Sequence, residues 1–150
     1  MNNLTLSDNG IDLIVAFEGC ALQPYNDAHG YATVGIGHLI RQSPILPTDL
    51  PITKERAYEI FRTDSKMAQW AVNHYVAVPL NQNQFDALVD FTFNLGSGTF
   101  AKSSVLTTVN ESKFASVPQH LALYNESGGK VLSGLVRRRA AEGALFMKGV

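Results

Sequence analysis

"FEGCALQPYNDAHGYATVGIGH", residues 17–38, places Glu18, Asp27 and Thr33 within sixteen positions. Working back from it, Ser7 can cap a helix whose first turn holds Asp8. Ile11, Ile14, Val15 and Glu18 follow the i, i+3, i+4, i+7 spacing of one helical face, and Gly19 is a stop. Glu18 thus ends an apolar stripe at the edge of a core. Working forward, Asn26, Asp27 and Gly30 are turn residues. Tyr31 to Ile36 is β-branched and aromatic, interrupted by glycine, and reads as a short strand after the turn. A helix end runs into a hairpin, and an acid sits on each.

Further along, "RQSPILPTDLP" (41–51) is a proline-punctuated loop. Thr53 caps a long helix over about 54–75, whose stripe is Ala57, Ile60, Phe61, Met67, Ala68, Ala71, Val72 and Tyr75. Asp64 falls inside that stripe. Asn81 and Gln84 have capping-box spacing ahead of Phe85, Leu88, Val89, Thr92, Phe93 and Leu95. That helix is apolar over much of its girth and reads as the centre of a helical lobe, ended by Gly96 and Gly98. Shorter helices follow near 101–110 and 117–125, then a loop at "NESGGK" and a last helix over about 134–147. The fold class is α+β. A small N-terminal lobe with a short sheet (about 12–60) is joined by the long helix to a larger, mainly helical lobe (about 75–150 with the N-terminal helix region). The "HYVAVPLN" stretch marks the hand-over.

The 150 residues are expected to form a single domain. Hydrophobic content of 45% and charged content of 17% fit a soluble globular protein. No apolar run approaches the roughly 20 residues that span a bilayer, and "MNNLTLSDNG" lacks the marks of a secretory signal. Accumulation in the cytoplasm is therefore expected, with export dependent on another component. The lone Cys20 excludes an internal disulfide and reads as an inert, part-buried thiol. The net charge of −1 hides an asymmetry: residues 1–50 carry five acids and one base (Arg41), residues 101–150 seven bases and three acids. The basic end, with Arg137, Arg138 and Arg139 adjacent, is too sparse to indicate nucleic acid. The four histidines show no metal-ligand spacing, so neither metal nor cofactor is expected.

Glycosidic cleavage needs two carboxyl groups in unlike environments: one protonated to serve the leaving oxygen, one ionised to activate water or stabilise positive charge. Glu18, on an apolar face, suits the first task because burial disfavours the charged form. Asp27, in a polar turn, suits the second, and the Thr33 hydroxyl can both donate to and accept from a water. Spacing alone equally allows a helix-terminal glutamate in a salt bridge and an Asx-turn aspartate.

The pattern E-x8-D-x5-T within "FEG…PYND…G…TVGIGH" resembles the phage-type lysozymes, the endolysin muramidases of glycoside hydrolase family 24. The likeness continues through "PLNQNQFDALVDFTFNLGSGTF" and "GGKVLSGLVRRRAAEGALF", in the same order, over nearly the whole chain. The resemblance implies a lysozyme-like fold, with Glu18 as general acid, Asp27 as second carboxylate and Thr33 beside the attacking water. It implies cleavage, with inversion, of the β-1,4 bond between N-acetylmuramic acid and N-acetylglucosamine in bacterial peptidoglycan. It further implies a monomer that lyses the host cell, released to the wall by a membrane-permeabilising partner. Alternative contexts are an antibacterial effector, a cell-puncturing lysozyme or a non-catalytic wall-binding protein. A lytic transglycosylase would not need the aspartate.

Supporting residues follow. Asp64 on an apolar stripe calls for a cationic partner, and His38, closing "GIGH", is expected to pair with it. One of Arg137–Arg139, with Arg138 in the middle, is expected to approach Glu18. The resemblance implies that the end of the central helix faces the cleft, which makes Phe93 and Asn94 candidate sugar contacts; the alternative for Asn94 is a plain helix C-terminal asparagine. With no separate wall-binding module visible, the whole chain is expected to be catalytic.

Overall fold

The computed structural model describes residues 2–41, 45 and 47–150; positions 42–44 and 46 of the proline-punctuated loop lie outside the described residues. Contacts gather into two compact units, Ile14–Lys66 and the pair of segments Met1–Leu13 and Met67–Val150. The division falls at Lys66, earlier than the hand-over expected near residue 75.

In the unit Ile14–Lys66, the second half of α1 (Asp8–Glu18) leads into a three-stranded antiparallel sheet, β1 (Ala21–Asn26), β2 (Ala32–Gly35) and β3 (His38–Leu39). The β1–β2 register sets Tyr25 opposite Thr33 and Asn26 opposite Ala32, and breaks between Ala21 and Tyr25, where Pro24 cannot donate to the ladder. β1 is exposed beyond Ala21, whereas Thr33, Val34 and Gly35 of β2 are buried. Val34 packs with Ile52, Ala57 and Ile60, and Cys20, Ile40, Ile45 and Leu50 close over them. Cys20 is thus a packing residue.

The expected long helix is two helices, α2 (Lys54–Asp64) and α3 (Lys66–Tyr75). Thr53 caps α2 as its sequence predicts, its hydroxyl accepting from the Arg56 amide. The interruption is at Ser65, which is buried and turns its hydroxyl back to the Arg62 carbonyl. Serine competes locally for helix carbonyls in this way, a signal that apolar periodicity does not carry.

In the other unit, α4 (Gln82–Leu95) is the hub: Phe85, Ala87, Leu88, Val89 and Phe91 are fully buried. Its capping box is complete, with the Asn81 side chain accepting from the Gln84 amide and the Gln84 side chain from the Asn81 amide. α5 (Ser97–Ala101), α6 (Ser104–Asn110) and α7 (Val117–Ala122) follow, then a two-stranded hairpin, β4 (Glu126–Ser127) and β5 (Lys130–Val131), where the sequence suggested only a loop. α8 (Ser133–Phe146) packs against α4 and α7. The N-terminal segment is strapped on by hydrogen bonds: Leu4 exchanges two with the Asn73 side chain, and the Leu6 amide donates to Gln69. Ser7 donates from its hydroxyl and its amide to Asp86.

Candidate active site

The turn after β1 is built around Asp27. Its Oδ1 accepts the backbone amides of His29 at 2.8 Å and Tyr31 at 2.9 Å. Its own amide donates to the Tyr31 carbonyl at 2.9 Å. This is an Asx turn closed on itself, with Gly30 at φ 81° supplying the left-handed residue. The Tyr31 amide does most to hold the Asp27 carboxyl below its ordinary range; the His29 amide and the charges of His29 and Arg41 act in the same direction. These bonds and charges favour the ionised form of Asp27.

Thr33 belongs to the same network. It is buried, and its hydroxyl donates to the Tyr31 carbonyl at 3.0 Å. That bond uses the only hydroxyl proton, so Thr33 can offer a water lone pairs alone, not the two-way partnership suggested by its residue type. Tyr31 is the junction: its backbone binds Asp27 twice and Thr33 once.

Glu18 ends α1 and is partly buried. Gly37, at φ 69°, lies against it: a Cβ built there would stand 3.1 Å from Glu18 Oε2. The glycine between β2 and β3 is thus required both by its backbone and by the carboxylate beside it. Tyr25 reports on both acids. Burial first, then the negative charges of Glu18 and Asp27, push its phenol above the ordinary value. The helix-end acid and the turn acid therefore act on one ring.

His38 is buried in β3, and its Nδ1 donates to Asp64 Oδ2 at 2.7 Å. The carboxylate can only accept, so Nδ1 carries the hydrogen.

The remaining expected residues lie in the helical unit. Arg138 is buried and donates through Nε to Asp90 Oδ1 at 3.1 Å. Arg139 donates through Nη2 to Glu142 at 2.6 Å and to Asn94 Oδ1 at 2.8 Å, while Arg137 is exposed. Asn94 is thus part of an ion cluster on α4 and α8, and Phe93, next to it, is partly buried. Burial, then the Asp90 charge, push the Glu142 carboxyl well above its ordinary value, against the opposing pull of Arg139. Burial lowers Arg139.

Sequence reading passed over Tyr25, Tyr31, Gly37 and Arg41. For Tyr31 the working atoms are backbone, which residue type does not reveal. Arg41 did leave a signal, as the single Lys or Arg in the first fifty residues. Among the described residues, no group of three or more His, Cys, Asp or Glu could hold a metal ion, and no helix is long and apolar enough to cross a membrane.

Comparison with known proteins adds an independent line. The phage lysozyme family model matches residues 15–142. The chain is 40% identical over 148 residues to an endolysin of Bacillus phage PZA, covering 97% of this chain and 56% of that protein. It is 34% identical over 145 residues to the endolysin of Salmonella phage P22, covering 96% of this chain and 99% of the relative. The chain thus spans about half the length of the Bacillus phage relative and nearly all of the P22 one. The solved endolysin of Escherichia coli O157:H7 phage FAHEc1 matches with a TM-score of 0.90 at 30% identity, over 99% of this chain and 97% of the other.

Proposed function

The chain belongs to the phage lysozyme family, and we propose that it hydrolyses the β-1,4 bond between N-acetylmuramic acid and N-acetylglucosamine in bacterial peptidoglycan, with inversion. The observation that carries this reading is the pair of unlike carboxyl groups in one unit. Asp27 is fixed as an anion by two backbone amides; Glu18 ends a helix against Gly37; and the Tyr25 phenol feels both.

In the proposed reaction Glu18 gives its proton to the glycosidic oxygen as the bond to the anomeric carbon breaks. A water attacks that carbon from the opposite face and loses a proton to Asp27. Thr33, its hydroxyl proton committed to the Tyr31 carbonyl, accepts a hydrogen from this water and so turns an oxygen lone pair toward the sugar. The low pKa of Asp27 makes it a weak base. Its larger contribution is then orientation of the water and electrostatic stabilisation of the cationic sugar. His38 and Asp64 brace β3 against α2, and the Asp90–Arg138–Arg139–Glu142 cluster orders α4 against α8. Phe93 and Asn94 are proposed sugar contacts.

In context, the reading is an endolysin: a monomer held in the host cytoplasm until a membrane-permeabilising partner releases it to the wall. The test is clearing of a peptidoglycan suspension by the native protein and by Glu18→Gln, with the product anomer read by NMR. Loss of a general acid is expected to cost about 10²–10⁴-fold. Equal clearing by both would remove Glu18 from the mechanism, and a product of retained configuration would rule out inversion.

A further inference from the structure

Arg41 follows β3, and its guanidinium carbon lies 4.0 Å from the centroid of the Tyr31 ring. Both side chains are exposed, Tyr31 at 43%. A guanidinium laid on an aromatic face is held by cation–π attraction, which leaves its N–H edge open. Among the described residues, no carboxylate forms an ion pair with Arg41. The pair also stands beside the proposed reaction centre, because the Tyr31 backbone carries Asp27 and Thr33.

An arginine seated over a ring, with no hydrogen bond or ion pair to another of the described residues, matches a planar anion that accepts two parallel hydrogen bonds. Service to Asp27 is the competing use, but among the groups that lower the Asp27 carboxyl, Arg41 ranks behind the Tyr31 and His29 amides and the His29 charge. Two backbone amides already secure that anion, so they do not account for an arginine pinned to a ring.

We propose that Arg41, held on the Tyr31 ring, is a carboxylate-binding subsite for the acidic substituents of the glycan strand. The inference rests on the glycan-cleaving reading above and adds a specificity contact to it. Two sources share this chemistry: the carboxylates of the peptide stem, and the lactyl carboxylate exposed where the stem has been removed. A lysine could supply the charge but neither the flat stack nor the fork.

The experiment compares the native protein, Arg41→Gln and Arg41→Lys on three substrates: stem-bearing glycan strands, the same strands with stem carboxylates converted to amides, and stem-stripped strands. Arg41→Gln is expected to lose about tenfold in kcat/KM through KM on a carboxylate-bearing substrate. It should match the native protein on the amidated strands, and Arg41→Lys should recover part of the loss. Loss on stem-bearing strands assigns the site to the peptide; loss confined to stripped strands assigns it to the lactyl group. Equal loss on native and amidated strands, or no loss on any substrate, overturns the proposal. Calorimetric binding of the same strands to Glu18→Gln, with and without Arg41→Gln, gives the same comparison without turnover. Failure of the cleavage reading is thereby kept distinct from failure of the subsite.

Discussion

His38 Nδ1 donates to Asp64 Oδ2 over 2.7 Å, tying the short β3 to the last residue of α2. The bond joins a buried imidazole to a carboxylate that is 28% exposed. Removing Asp64 leaves a buried donor unpaired, which costs more than the bond itself contributes. Asp64→Ala is expected to lower stability by about 1–3 kcal/mol in urea unfolding. A double-mutant cycle with His38→Gln should return a coupling of about 1 kcal/mol or more. Additive single effects would show that the two side chains do not act as a pair.

Gly37→Ala separates backbone strain from steric displacement. The left-handed backbone at φ 69° costs an L-residue about 1–2 kcal/mol, and the added methyl would lie 3.1 Å from Glu18 Oε2. Gly128→Ala, at φ 59° with nothing within 4 Å, carries the strain alone. Both variants should lose similar stability. Activity should fall at least about tenfold only in Gly37→Ala, since misplacing a reacting group by 1 Å can cost about a hundredfold. Equal activities would mean that Glu18 gives way without consequence.

Asp27 should titrate below the ordinary aspartate value of about 3.9 when its carboxyl carbon is followed by NMR. The sign follows from the bonds to the Tyr31 and His29 amides, which favour the anion. Because the folded-state pKa is lowered, the stability Asp27 contributes is present above the unfolded value and is lost as pH falls through the folded one. The acidic limb of activity assigned to Asp27 should likewise lie below about 3.9. Arg41→Gln should move the midpoint slightly upward. A midpoint above the ordinary value would contradict the turn geometry.

Glu142 behaves in the opposite sense. Burial and the Asp90 charge raise its folded-state pKa, so the native protein keeps a proton that the unfolded chain releases above about 4.3. Below that pH Glu142 costs nothing by this route. Above it, stability falls toward the folded-state pKa, by at most about 1.4 kcal/mol per pH unit. Glu142→Gln removes the slope while weakening the bond from Arg139. The difference between variant and native protein in urea midpoint should shift in favour of the variant as pH rises from about 4 to 8. A constant difference would show that Arg138 and Arg139 keep Glu142 ionised throughout.

Much of the local architecture was legible in the sequence because its causes are local. The Asn81–Gln84 box, the Thr53 cap, the end of α1 at Glu18 and the turn at Asp27 each depend on side chains within a few residues of the backbone groups they satisfy. The three ordered motifs identified the family for the same reason: they lie in the chain itself. The break at Ser65 was missed because Met67, Ala68, Ala71 and Val72 continue the apolar spacing past it. The β4–β5 hairpin was missed because its four paired residues, all exposed, carry no apolar alternation.

The sequence by itself determined the caps of α2 and α4, the end of α1, the turn at Asp27 and the family, and it singled out Glu18 and Asp27 as the candidate acids. Tertiary structure alone decided how those acids are conditioned: the Tyr31 backbone holding Asp27 and spending the Thr33 proton, Gly37 making room for Glu18, and Arg41 lying on a ring ten residues back. Periodicity and capping record a residue's dealings with its neighbours along the chain. Hydrogen-bond partners, burial and the ionisation they set come from groups that meet only when strands pair and helices pack.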